Sequence, residues 1–165
     1  MISKEENMAL VAIFNTDFVK QVLDAIMAQV NYPHRTHVGS VDSWPTQLFT
    51  GQYAAMIFNT HYENEPGEHW VAIFIDGSTK EGFFFDSLPV RPFPQNLLYN
   101  LGKLCTRVYE VNHQRHLLQG LNLCGLYCLA FVEHFSKEQP FILCANNRLL
   151  NDINVVNSML PYLML

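Results

Sequence analysis

Behind Asn15, Thr16 and Asp17, three residues able to cap a helix, Phe18, Val22, Ile26 and Val30 recur every four residues. The spacing predicts an amphipathic helix that stops near Asn31 and Pro33. A loop rich in His, Gly, Ser and Pro is expected from His34 to about Thr50. The short apolar run Ala54 to Phe58 then suits a buried strand, and the polar stretch from Asn59 to Glu68, with Pro66-Gly67, a loop. Trp70 to Ile75 and Gly82 to Asp86 read as two strands. The Asp76-Gly77 turn between them predicts an antiparallel hairpin centred near Ser78-Thr79. Helical patterning returns from Pro94 to Leu104, and Arg107 to Val111 reads as a further strand. A helix follows from Cys124 to Phe135, with Leu126, Leu129, Ala130 and Phe131 available to the core, and a last one from Leu149 to Leu160. The expected fold is a single α+β domain over residues 1–165, with helices flanking a compact antiparallel or mixed central sheet.

Composition narrows the functional classes. The chain is 49% hydrophobic and 15% charged, with a formal net charge of -5 and its arginines scattered. No broad phosphate-binding face is expected, so nucleic acid is an unfavoured partner. The apolar run Met8 to Phe14 follows Glu5 and Glu6 rather than a basic region, lacks a small-residue cleavage site, and is too short to span a membrane. It reads as a core-packing helix or strand, and no membrane association is expected. Four cysteines without a secretory leader point to a reducing compartment and free thiols.

Chemistry gathers around Cys124, which stands where a loop gives way to a helix in Asn122-Leu123-Cys124-Gly125-Leu126-Tyr127-Cys128. A helix N-terminus stabilises a thiolate through its unpaired amides and dipole. Gly125 lets the backbone turn closely and leaves room for a substrate carbonyl beside the Cys124 amide. Taken alone, a cysteine in such a place is more often a small buried hydrophobe. His69 adds geometry: with the hairpin centred near Ser78-Thr79, the position opposite His69 falls at Asp86 to Leu88. A histidine opening one strand thus meets a carboxylate closing its neighbour. Asp86 can then fix the imidazole tautomer and leave the other nitrogen for a thiol proton. Taken singly, Asp86 is better explained as a strand-ending turn residue, and His69 equally well as a surface loop histidine. An acyl-transfer site also needs a second donor to the oxyanion. Gln119, five residues before Cys124, is the favoured candidate, with Gln114 and Asn122 as rivals.

These residues in this order, together with Gly67-Glu68-His69-Trp70, Phe85-Asp86-Ser87 and Cys124-Gly125-Leu126-Tyr127-Cys128, resemble the adenovirus-protease (adenain) family, which is related to the ubiquitin-like-protein proteases. Val38 to Asp42 and Ile57 to Thr60 resemble segments before the family histidine, and Leu149 to Asp152 resembles the last helix of adenain-like proteins from Maverick-type elements and related DNA viruses. The resemblance implies Cys124 as nucleophile, His69 as base, Asp86 as its orienter and Gln119 in the oxyanion hole. It implies that Trp70 walls a narrow substrate groove, although a core aromatic is equally open for that position. It implies no cofactor, protein substrates such as capsid or core precursors cleaved near Gly, and a monomer of the host cytoplasm, nucleus or assembling virion. The family also takes an activating peptide by disulfide; Cys105 lies roughly where the acceptor would, though a core cysteine is the plainer reading. Three departures stand out: the Gln119–Cys124 loop is short, the acid is Asp where adenovirus enzymes carry Glu, and the acidic balance does not suit activation by DNA.

Other classes fit less of the chain. A zinc-binding interaction module would join Cys124 and Cys128 with His134, Cys144 or Cys105, but no second paired Cys/His motif accompanies them. An acyltransferase using coenzyme A would need a basic site for its phosphates. A chymotrypsin-like cysteine protease would need a strand where the helical pattern follows Cys124. An isopeptidase acting on ubiquitin-like tails uses the same site residues, and substrates alone separate it.

Overall fold

The Asn15 side chain accepts a hydrogen bond from the Phe18 amide at 2.8 Å and caps helix α1, Thr16–Met27. In the computed structural model, residues 15–60, 69–87, 92–112, 123–141, 143 and 147–163 are described; the Met8 to Phe14 run lies outside them. Helix α1 ends three residues before Val30. Its buried face is Val19, Val22, Leu23, Ile26 and Met27, one position round from the expected stripe.

Five strands follow in spatial order β1-β2-β3-β4-β5: β1 His34–Ser40, β2 Tyr53–Thr60, β3 His69–Asp76, β4 Glu81–Asp86 and β5 Arg107–Glu110. The inner pairs β2–β3 and β3–β4 are antiparallel, while β1 and β5 join the edges in parallel. The sheet is therefore mixed, with an antiparallel centre. Strand β1 corrects the expected loop from His34 to Thr50. It is a half-buried edge strand without an apolar run, so its pairing comes from the backbone rather than from a sequence pattern.

The hairpin forms as expected. Asp76 pairs with Glu81 and Val71 with Asp86, which centres the turn between Ser78 and Thr79. The Asp76 carboxylate accepts from the Ser78 amide at 2.8 Å and the Thr79 amide at 3.1 Å. A Cβ at Gly77 would lie 2.5 Å from the Gly51 carbonyl oxygen, so only glycine lets these loops meet.

Helix α2, Gln95–Leu104, covers one face of the sheet, burying Leu97 and Leu101 with Met56, Phe58, Val71 and Ile73. The other face packs on α1 and on α3 (Cys124–Ser136), and α4 (Arg148–Leu163) packs against those two helices. Helix α3 runs through the centre: every residue from Cys124 to Val132 is buried, which is why it lacks a polar face. Phe131 stacks on Phe85 at 5.3 Å between ring centroids and meets Phe135 at 4.6 Å. Phe131→Ala is expected to cost roughly 3–5 kcal/mol of stability, measured by denaturant unfolding, and Phe131→Leu distinctly less. Among the described residues no helix is long and apolar enough to cross a membrane.

Candidate active site

Antiparallel register builds the site. Because Val71 stands opposite Asp86, His69 lies two residues along the neighbouring strand, on the same face as Val71, and becomes the diagonal partner of Asp86. The imidazole Nε2–H donates to Asp86 Oδ1 at 2.8 Å, with both side chains largely buried. That bond assigns the other ring nitrogen, Nδ1, to the nucleophile side. Cys124 approaches from the helix on the opposite face, and its side chain is hydrogen-bonded to His69. The cysteine is buried and is the first residue of α3, at the positive end of that helix's dipole.

Electrostatics within this trio oppose one another. Burial by itself pushes the His69 pKa down, because a charged ring loses water. The hydrogen bonds to Asp86 and Cys124, and the charges of both, outweigh it and raise the pKa to about 10. His69 is thus held as an imidazolium across the neutral range, between a carboxylate and a sulfur. The other described thiols differ. Burial raises Cys105 to about 11 and lifts Cys128, one turn behind Cys124, well above the ordinary thiol range. Cys105 packs in the α2-side core, with its Sγ 2.9 Å from where a Gly82 Cβ would lie. It is a core cysteine, the plainer of the two readings of the sequence.

Trp70 and Gly125 sit inside rather than on the surface. Trp70 is 2% exposed, and a Cβ on Gly125 would meet its Cδ1 at 3.4 Å. Its burial puts Trp70 in the core, a place compatible with the groove wall that the resemblance implies. It lies beneath the first turn of α3, with Gly125 packed over the indole. Asn59 pairs with Trp70 across β2–β3, and Ser87 lies one step beyond the Val71–Asp86 pair on β4. Asn59 Oδ1 and Ser87 Oγ, on either side of the indole, are buried without a hydrogen-bond partner. Gln119, Gln114, Asn122 and Cys144 lie outside the described residues. Among the described residues no group of three or more His, Cys, Asp or Glu side chains could hold a metal ion.

Two polar residues at the site were not singled out from the sequence. Thr60 Oγ1 donates to the His69 carbonyl at 3.2 Å, and Asn112 Nδ2 donates to the Asp86 carbonyl at 2.9 Å. The only sequence cue was position: each is a polar residue where an apolar or strand-like run gives out.

Comparison with known proteins agrees with this architecture. No protein-family model matches the chain. A protein of Acanthamoeba polyphaga mimivirus, provisionally named a thiol protease, is 28% identical over 105 residues, which is 59% of this chain and 34% of its own length. The chain therefore spans about a third of the length of the curated relative it matches. ChlaDub1 from Chlamydia trachomatis superposes with a TM-score of 0.51 over 94% of this chain and 77% of its own, at 14% identity. The ASFV protease covers 61% of this chain and 41% of its own, at 18% identity and a TM-score of 0.47. The chain shares the α+β fold of ChlaDub1, the fold class the sequence predicts.

Proposed function

We propose that the chain is a cysteine endopeptidase. The observation that carries this reading is the hydrogen-bonded series Cys124–His69–Asp86, with the cysteine at a helix N-terminus and the imidazole held at a raised pKa. The mimivirus relative, named a thiol protease, supports it.

In the proposed mechanism the proton of the Cys124 thiol already rests on His69 Nδ1 in the thiolate–imidazolium pair, while Asp86 holds the Nε2–H and compensates the imidazolium charge. The thiolate attacks the substrate carbonyl carbon, and the oxygen takes up the displaced electron pair. The Cys124 amide and Gln119 would donate to that oxyanion. Collapse expels the amine, which takes its proton from His69 and leaves a thioester. Water, deprotonated by His69, then attacks the thioester, and Cys124 leaves as the thiolate, which restores its pair with the His69 imidazolium. Gln119→Ala is expected to lower the acylation rate roughly 10²- to 10³-fold with little change in KM, while alkylation by a small reagent, which forms no oxyanion, survives. A near-normal Gln119→Ala alongside a collapsed Asn122→Ala or Gln114→Ala would transfer the role.

For substrates we infer viral or mobile-element structural precursors, cleaved near small residues such as glycine, in the host cytoplasm or nucleus or within the particle. The motive is the whole-chain resemblance to adenain-like enzymes together with the viral relative. Incubating purified protein with capsid precursors and, separately, with ubiquitin-like proteins bearing Gly-Gly tails tests this. Precursor cleavage lost in Cys124→Ala is expected. Efficient release of ubiquitin-like proteins, with precursors untouched, would move the chain to the isopeptidase class.

A further inference from the structure

His69 and Asp86 sit at the ends of their strands, where ladders fray most readily. A small displacement there would separate the imidazole from the carboxylate. Two buried side chains act at this point. Thr60, the last residue of β2, pairs with His69 and donates its hydroxyl to the His69 carbonyl. Beyond the end of β5, Asn112 does the equivalent for Asp86. In the parallel β4–β5 ladder Glu110 pairs with Phe84, and the Val111 amide donates to the Phe84 carbonyl at 3.0 Å. One two-residue step further brings Asn112 level with Asp86. There a side-chain amide, rather than a strand amide, takes up the Asp86 carbonyl. Thr60 is 3% exposed and Asn112 4%, so neither bond competes with water. Each donor stands on the outer side of the strand end it holds, and together they bracket β3 and β4.

We propose that Thr60 and Asn112 are positioning residues that clamp the main chain of His69 and Asp86, and so keep the imidazole and carboxylate in hydrogen-bonding register. The proposal rests on the cysteine-protease reading for its effect on turnover, but its geometric part does not.

The test uses the full chain with isotopically labelled histidine, following the His69 titration by NMR alongside peptide cleavage. Thr60→Val is near-isosteric and removes only the hydroxyl; Thr60→Ser restores it; Asn112→Ala removes the amide. Ser136→Ala, which deletes a buried hydroxyl bonded to the Glu133 carbonyl in the last turn of α3, is the control for general destabilisation. Thr60→Val and Asn112→Ala are expected to lower kcat about 10- to 10²-fold with KM nearly unchanged, as a misplaced catalytic group does. Both should also move the His69 midpoint down, while Thr60→Ser and Ser136→Ala behave as the parent. Should Asn112→Ala fail to fold, Thr60→Val still decides. An active parent whose kcat and His69 midpoint are unmoved by Thr60→Val overturns the clamp, and so does an equal loss in Ser136→Ala. An inactive parent whose midpoint still falls in Thr60→Val contradicts the protease reading and supports the clamp.

Discussion

Replacing Cys124 with alanine is expected to abolish peptide cleavage while leaving the fold in place. The side chain is 3% exposed, so its Sγ does fill core space, but losing one small group costs no more than about 1–2 kcal/mol. Its chemical loss is complete, because no other described thiol can substitute: Cys105 and Cys128 are buried and their pKa values are raised. The same variant carries a second expected result. Cys124 is one of the partners that raise the His69 pKa, and Asp86 is the other. In Cys124→Ala the His69 midpoint should therefore fall, yet stay above where burial alone would put it. Near-parental cleavage by a folded Cys124→Ala would remove the cysteine from the mechanism.

Asp86→Asn is expected to lower kcat/KM roughly 10³- to 10⁴-fold. The variant keeps the shape of the side chain but can present a donating amide NH2 in place of an accepting oxygen to Nε2, and it removes the charge that offsets burial of the imidazolium. The alkaline limb of the pH–rate profile should shift to lower pH, because His69 then loses its proton earlier. Stability follows with a definite sign. The His69 pKa is raised from 6.5 to about 10 in the folded chain, so its protonation stabilises the fold fully below about pH 6.5, and that contribution is lost as pH rises toward 10. The parent's stability advantage over Asp86→Asn should accordingly be largest near pH 6 and shrink toward pH 10, as measured by urea unfolding at each pH. Asp86→Glu should be tolerated better, in keeping with the glutamate of adenovirus enzymes. An unchanged rate and limb in Asp86→Asn would mean that another group orients the imidazole.

The His69–Asp86 pair was legible in the sequence because the hairpin is local. Asp76-Gly77 and two apolar runs fix the turn centre, and turn geometry then fixes which residues meet. Helix α3 was legible for a similar reason, since its apolar content is dense. The edge strand β1 was not, because His34–Ser40 is half-buried and joins β2 in parallel, so neither a run of apolar residues nor a hairpin turn marks it. The end of α1 was read late because Val30 continues the stripe after the helix has stopped; Val30 packs on the core from outside it. The place of Trp70 depends on how α3 packs over β3, a contact between distant segments that no periodicity reveals. Thr60 and Asn112 act through registers between non-adjacent segments, with Asn112 26 residues from Asp86. Such pairings appear only once the strand order is known.

Activation of the Cys124 thiol by His69 and Asp86 underlies every step of the proposed mechanism. It is tested most directly by reacting the purified chain, at neutral pH and under native conditions, with an electrophilic peptide probe, then mapping the modified cysteine by mass spectrometry. One label per chain is expected, on Cys124, formed much more slowly in Asp86→Asn and absent in Cys124→Ala. Labelling of Cys105, Cys128 or Cys144 with Cys124 left unmodified would contradict it.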